Sequence, residues 1–340
     1  MIYEFENKIK IGNKFIGDKF PTFIIAEIGI NHLGNRNLCL QMIKSAIRAG
    51  ADAVKLQIID AMDSYSAETE SYEVFSKFAL SYKDLIFINN YCKNKKIILF
   101  ATPGDLKSLN LVKKLKMPAI KISSGLLTNL FLIEKACKLN LPLILSSGMS
   151  YEKELDDALK ICVKNKNRKI CLLKCTSLYP ANDMQLNLNT ISYYKKKYKI
   201  ITGFSDHTLD RISSYVSVSK GAKVIEKHFT ISKKLKYADN NLSMEPKEFK
   251  IMVKNIRRIE NILGTIQLKP INKEVLKRNK NHRFILANKN IKKGEILNEK
   301  NIALKRTNSN KLKMKSKYFK KILGKKSKFS YQINDPIKNQ

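Results

Sequence analysis

The 340-residue chain has no Trp, only four His, and 29 Asp and Glu against 65 Lys and Arg. No apolar run approaches the ~20 residues of a membrane-crossing helix; Phe23-Ile24-Ile25-Ala26 is typical of its longer ones. The first six residues lack a basic stretch leading into an apolar one, so no secretory signal is expected and the protein reads as soluble and cytoplasmic. No CxxC pair and no His at finger-type spacing is present, which excludes a zinc finger. The six cysteines (Cys39, Cys92, Cys137, Cys162, Cys171 and Cys175) are therefore expected to be reduced thiols, with Cys171 and Cys175 buried in an apolar run. No G-x-G-x-x-G follows the first apolar run, which argues against a dinucleotide-binding sheet.

The shortage of acid leaves a net charge of +36. A nucleic-acid footprint would gather Lys and Arg into a stripe with interleaved aromatics. Here Lys is spread along the chain among many Asn and Ile, the mark of AT-rich coding. It is densest at the end, with 21 Lys and Arg against four Asp and Glu over residues 270–340. Such a surface attracts anions, phosphorylated metabolites included. Nucleic acid as the main partner is disfavoured, and no membrane partner is expected.

An apolar content of 44% is that of a folded chain. Short β-rich runs recur at 23–29, 53–57, 97–103, 119–124, 142–148, 170–176, 199–206 and 223–229, separated by helix-patterned segments such as Leu38, Met42, Ala46 and Ala49. Near-continuous apolar strands alternating with helices predict a parallel sheet, and eight such units predict an α/β fold, the (β/α)8 TIM barrel. Residues 9–17 predict a hairpin plugging the barrel's bottom. After Gly264 the pattern changes: 1–268 reads as the barrel domain, 269–281 as a linker and 282–340 as a small β-rich domain.

Barrel chemistry sits where the strands end, on the inward face with period two. Polar residues gather there: Glu27 and His32; Lys55 and Gln57; Thr102; Lys121, Ser123 and Ser124; Ser146; Cys175; Ser205 and His207; Glu226 and His228. Lys55 and Lys121 inside a barrel would need an anionic partner, as a phosphate or carboxylate site provides; a single strand lysine could instead point outward. His207 and His228 close neighbouring strands, where two neutral imidazoles can hold a divalent metal. One structural and one exposed His is the alternative.

The segments 26–32 (Ala-Glu-Ile-Gly-Ile-Asn-His), 121–125 (Lys-Ile-Ser-Ser-Gly), 205–208 (Ser-Asp-His-Thr) and 224–230 (Val-Ile-Glu-Lys-His-Phe-Thr) resemble the N-acetylneuraminate (sialic acid) synthases. The resemblance includes the legionaminic and pseudaminic acid synthases and spans essentially the whole chain. Residues 290–297 resemble that family's C-terminal SAF (antifreeze-like) domain. The resemblance implies condensation of phosphoenolpyruvate with an N-acetylated hexosamine aldehyde, either N-acetylmannosamine or a diacetamido-trideoxyhexose, to a nonulosonic acid and phosphate. It implies His207 and His228 as ligands of a divalent metal, Mn2+ or else Mg2+ or Co2+. It implies Lys55, Thr102, Lys121, Ser124, Ser146, Tyr179 and Ser205 around phosphoenolpyruvate, with Glu27, Gln57 and Asp239 around the sugar. Glu27 would orient or deprotonate a water. Arg306 would reach into a partner's barrel in a domain-swapped homodimer. Leu126, Ser177 and Tyr237-Ala238 depart from the family's pattern on the sugar side. The competing reading is a non-catalytic barrel homologue whose basic surface binds RNA or another polyanion.

Overall fold

A computed structural model describes residues 4–235, 238–309 and 311–339. The chain divides into two compact units, Met1–Gly264 and Thr265–Gln340.

In the first unit an antiparallel hairpin, β1 (Lys8–Ile11) and β2 (Lys14–Gly17), precedes eight parallel strands. These are β3 (Phe23–Gly29), β4 (Ala53–Ile58), β5 (Ile98–Pro103), β6 (Ile120–Ile122), β7 (Leu143–Ser146), β8 (Ile170–Cys175), β9 (Ile201–Asp206) and β10 (Val224–His228). They close in chain order, β10 pairing with β3, into the expected barrel. Its helices follow from amphipathic spacing. Arg36–Ala49 buries Cys39, Met42, Ile43 and Ala46 on one face, and Asn35 accepts the Leu38 N–H as a cap contributing about 1 kcal/mol.

Ile9, Ile11 and Ile16 of the hairpin pack with Phe23, Ile25, Ile98, Phe100 and Val224 as one buried cluster, so the barrel's N-terminal end is stoppered by apolar side chains. A separate buried layer joins the outward strand residues to the helices. Both sides of each strand are thus covered, which is why the strands read as continuous apolar runs. Among the described residues no helix is long and apolar enough to cross a membrane.

The second unit is small and carries one antiparallel strand pair. Antiparallel β11 (Phe284–Ala287) and β12 (Ile302–Lys305) frame a core that includes Ile285, Ile291, Leu297, Ile302 and Ile337. The segment 269–281, expected to be a linker, instead holds a helix, Asn272–Asn281. Its described residues are all exposed, so it has no apolar stripe buried against a core, the signal by which a helix is read from sequence.

Candidate active site

Strand register brings the charged residues together. Glu27 of β3 lies opposite Lys55 of β4, and Ser205 of β9 lies opposite Glu226 of β10. Lys55 Nζ stands 3.1 Å from Glu27 Oε2 and 3.5 Å from Glu226 Oε2, and Lys121 Nζ stands 3.3 Å from Glu226 Oε1. All four side chains are at least 95% buried. Ser205 Oγ donates to Glu226 Oε1 at 2.9 Å, and Lys55 Nζ donates to Thr102 Oγ1 at 3.0 Å. Glu226 therefore holds both lysines at a set spacing.

Two glycines make room for this arrangement. Gly29 has φ +56, and a Cβ there would press on Glu27 Oε1 at 3.3 Å, beside Gln57. A Cβ on Gly148 would fall 2.6 Å from Ser124 Oγ and 2.2 Å from Ser177 Oγ, so only Gly lets the loops after β6, β7 and β8 close over the cavity.

The two carboxylates are driven apart. Burial would raise Glu226, but Lys121, Lys55 and the Ser205 hydroxyl together bring it to about 2. Burial lifts Glu27 to about 7, with Lys55 opposing and Glu226 assisting. One acid is a permanent anion; the other titrates near neutrality.

His207 follows β9 and His228 ends β10, with ring centroids 5.4 Å apart. Tyr179 stacks on His207 at 4.2 Å and meets His228 edge-on at 5.9 Å. Glu27, Lys55, Gln57, Lys121, Ser124, Ser146, Tyr179, Ser205, Glu226 and both histidines line one cavity. Asp239 is half-buried beside it, its Oδ2 3.4 Å from His228 Nδ1.

A model of the NeuB family matches residues 42–268. The chain belongs to the NeuB family. It is 41% identical to an uncharacterized protein of Methanocaldococcus jannaschii, covering 97% of each chain. It is 35% identical to the N,N'-diacetyllegionaminic acid synthase of Campylobacter jejuni, over 93% of this chain and 99% of that one. A crystal structure of the N-acetylneuraminic acid (sialic acid) synthetase of Leptospira borgpetersenii superposes with a TM-score of 0.77 at 35% identity, covering 82% of this chain and 98% of that one.

The two neighbouring imidazoles of this NeuB-family chain could serve as donors to a divalent metal. Burial would lower His207, but its Cys175 contact and the Thr176 carbonyl, 2.8 Å from Nδ1, raise it above the ordinary imidazole value; in its neutral form the ring donates to that carbonyl and leaves the Nε2 lone pair bare. Ser205, 3.5 Å from that Nε2, spends its proton on Glu226. Burial pushes His228 down to about 4, which keeps it neutral, and its buried Nδ1 makes no hydrogen bond. Among the described residues no group of three His, Cys, Asp or Glu is arranged to hold a metal, so oxygens from substrate or water would complete the shell.

Several placements differ from the sequence reading. Thr102 is not on the cavity wall; it is buried behind it and anchors Lys55. Arg306, placed by the sequence reading in the C-terminal domain, lies exposed in the second unit directly after β12. Cys175 is a wall residue rather than a core thiol, its Sγ 3.8 Å from His207 Nδ1. Burial would raise this thiol, but the His207 contact holds it to about 7. Leu126, on the sugar side by resemblance, packs against the outer apolar layer instead. Tyr237 lies outside the described residues. Glu226, the hub of the site, was visible two residues from His228, but nothing in one strand's sequence shows what it meets across the barrel.

His32 turns out to be buried off the cavity, its Nδ1 accepting the Gly34 N–H at 3.1 Å. Burial lowers it from 6.5 to about 4. The unfolded chain thus takes up a proton that the fold refuses. Stability present above pH 6.5 should fall as pH drops toward 4, by about 3 kcal/mol from this group. Urea titrations at pH 7.5 and 4.5 should show His32→Asn losing that much less than the parent; equal losses would remove His32 from the acid response.

Proposed function

We propose that the chain is a metal-dependent synthase that condenses phosphoenolpyruvate with an N-acylated amino-sugar aldehyde, releasing a nonulosonic acid and phosphate. The observation that carries this reading is the Lys55–Glu226–Lys121 bridge sharing one cavity with the His207–His228 pair. The names of the relatives, sialic, pseudaminic and legionaminic acid synthases, support it.

On this reading Lys55 and Lys121 grip the carboxylate and phosphate, preset by Glu226 so that little reorganisation is needed. Ser146 Oγ, buried without a partner, is free to donate to the same anion, beside Ser124, Ser205 and Tyr179. Gln57 and Asp239 face the sugar. His207 and His228 would hold a divalent ion, Mn2+ by preference, which when bound polarises the aldehyde carbonyl. C3 of the enol bonds to the aldehyde carbon, water adds at C2, and the C2–O bond to phosphate breaks. Glu27, titrating near neutrality, takes the proton of that water. We read the second unit as a SAF (antifreeze-like) domain and the working form as a dimer, in which Arg306 grips the acyl group in the partner's barrel.

The test is phosphate release from phosphoenolpyruvate with Mn2+ and a panel of amino-sugars. Release that depends on one acceptor is expected; no release with any acceptor would overturn the reading. Lys55→Ala and Lys121→Ala should each weaken phosphoenolpyruvate binding by about 1.5–3 kcal/mol, the size of a charge-assisted contact. Calorimetric titration reads this, and an unchanged affinity would take that lysine out of the site.

A further inference from the structure

An ion pair that the proposed chemistry does not use stands directly behind the two histidines. Asp206 precedes His207, Lys227 precedes His228, and the two charged residues lie opposite each other where β9 pairs with β10. Side chains alternate along a strand, so Ser205, His207, Glu226 and His228 face the cavity while Asp206 and Lys227 turn away from it. Lys227 Nζ lies 3.1 Å from Asp206 Oδ1, and neither side chain is more than 1% exposed.

The pair is tied to the turn that carries His207. Asp206 Oδ1 accepts the Thr208 N–H at 2.9 Å and the Thr208 hydroxyl at 2.8 Å, so the two residues flanking His207 are clamped to each other. Lys227 Nζ donates to the Thr208 carbonyl at 2.6 Å and to Thr208 Oγ1 at 3.2 Å. Asp206 Oδ2 accepts Ser213 Oγ at 2.7 Å and Ser214 Oγ at 2.6 Å, both from the first turn of helix Ile212–Ser219. The Thr176 carbonyl sets the direction of the His207 ring, and this network sets where its backbone stands.

A pair buried so completely adds little net stability, because desolvation offsets most of the attraction and packed apolar residues often do as well. What a fully bonded pair supplies is a single arrangement of the turn it holds. A metal ligand needs that constraint: its bond lengths hold to within about 0.2 Å, and groups behind the ligands commonly govern affinity about 10–100-fold.

We propose that Asp206 and Lys227 are positioning residues for the metal, clamping the 206–208 turn so that His207 can share a divalent ion with His228. This inference rests on the metal assignment of the synthase reading. Calorimetric titration of the full chain with Mn2+ alone tests it. Lys227→Met removes the ammonium but leaves the Asp206 carboxylate its donors from Thr208, Ser213 and Ser214, so the barrel should stay folded. That variant should bind Mn2+ at least about tenfold more weakly. Its metal-free affinity for phosphoenolpyruvate should stay within about twofold, since Lys55, Lys121 and Glu226 lie on the other face of the sheet. Thr208→Val keeps both charges and nearly the same shape, and should weaken Mn2+ about threefold, the scale of one lost hydrogen bond; it carries the test if Lys227→Met fails to fold. A pair with a merely structural role would loosen β9 and β10 together, Ser205 and Glu226 included. Parallel losses of Mn2+ and phosphoenolpyruvate affinity would therefore overturn the proposal, as would an unmoved Mn2+ affinity in a folded variant. Failure of the metal assignment shows in the parent instead: if it binds no Mn2+, that assignment falls and this inference falls with it.

Discussion

Replacing Glu226 with Gln is expected to cost about 3–5 kcal/mol of folding stability, the range for leaving a buried charge without its partner. The amide keeps the shape and can still accept from Ser205, so the loss isolates the charge. Lys55 would retain Glu27, but Lys121 would lose the one carboxylate shown within 3.3 Å of it. Because the missing negative charge can be supplied from solution, millimolar phosphate should recover part of the loss in the variant and far less in the parent. Urea denaturation with and without phosphate measures both effects. A loss under ~1 kcal/mol, the value of an exposed pair, would show that Glu226 does not balance the lysines.

His207→Ala or His228→Ala should leave the barrel folded and remove Mn2+ binding. His228 is held neutral by burial, so its truncation strands no charge. A polarising ion supplies several kcal/mol to such a reaction, so turnover should fall about a thousandfold, equivalent to about 4 kcal/mol. Calorimetric Mn2+ titration reads the first effect independently of activity, and phosphate release reads the second. Parent turnover that survives exhaustive chelation would sink the metal assignment.

The barrel is legible in the sequence because its signal is local. Each strand is an apolar run closed by polar residues, and period-two spacing alone puts Lys55 with Gln57, and Glu226 with His228, on one face of their strands. Pairing between strands carries no such local mark. Glu226 meets Lys55 and Lys121 from strands far apart in the chain, and a carboxylate's partners are a property of register and closure. Cys175 misleads for a related reason: an apolar neighbourhood in sequence does not say whether a strand's last residue faces the helices or the cavity. Thr102 has the alternation of a wall residue, yet Lys55 folds across and claims its hydroxyl.

The hairpin of Ile9, Ile11 and Ile16 gives the barrel a floor, and a floor imposes an order of arrival. A vessel with one mouth fills from the bottom and empties from the top. Lys55 lies two residues deeper along β4 than Gln57, so an anion held by the lysines, as proposed, would sit beneath whatever Gln57 touches. In the proposed reaction phosphoenolpyruvate must therefore enter before the sugar, and a sugar that arrives first blocks the way. Excess acceptor then slows its own consumption, and the phosphate, formed at the bottom, waits for the longer product above it to leave.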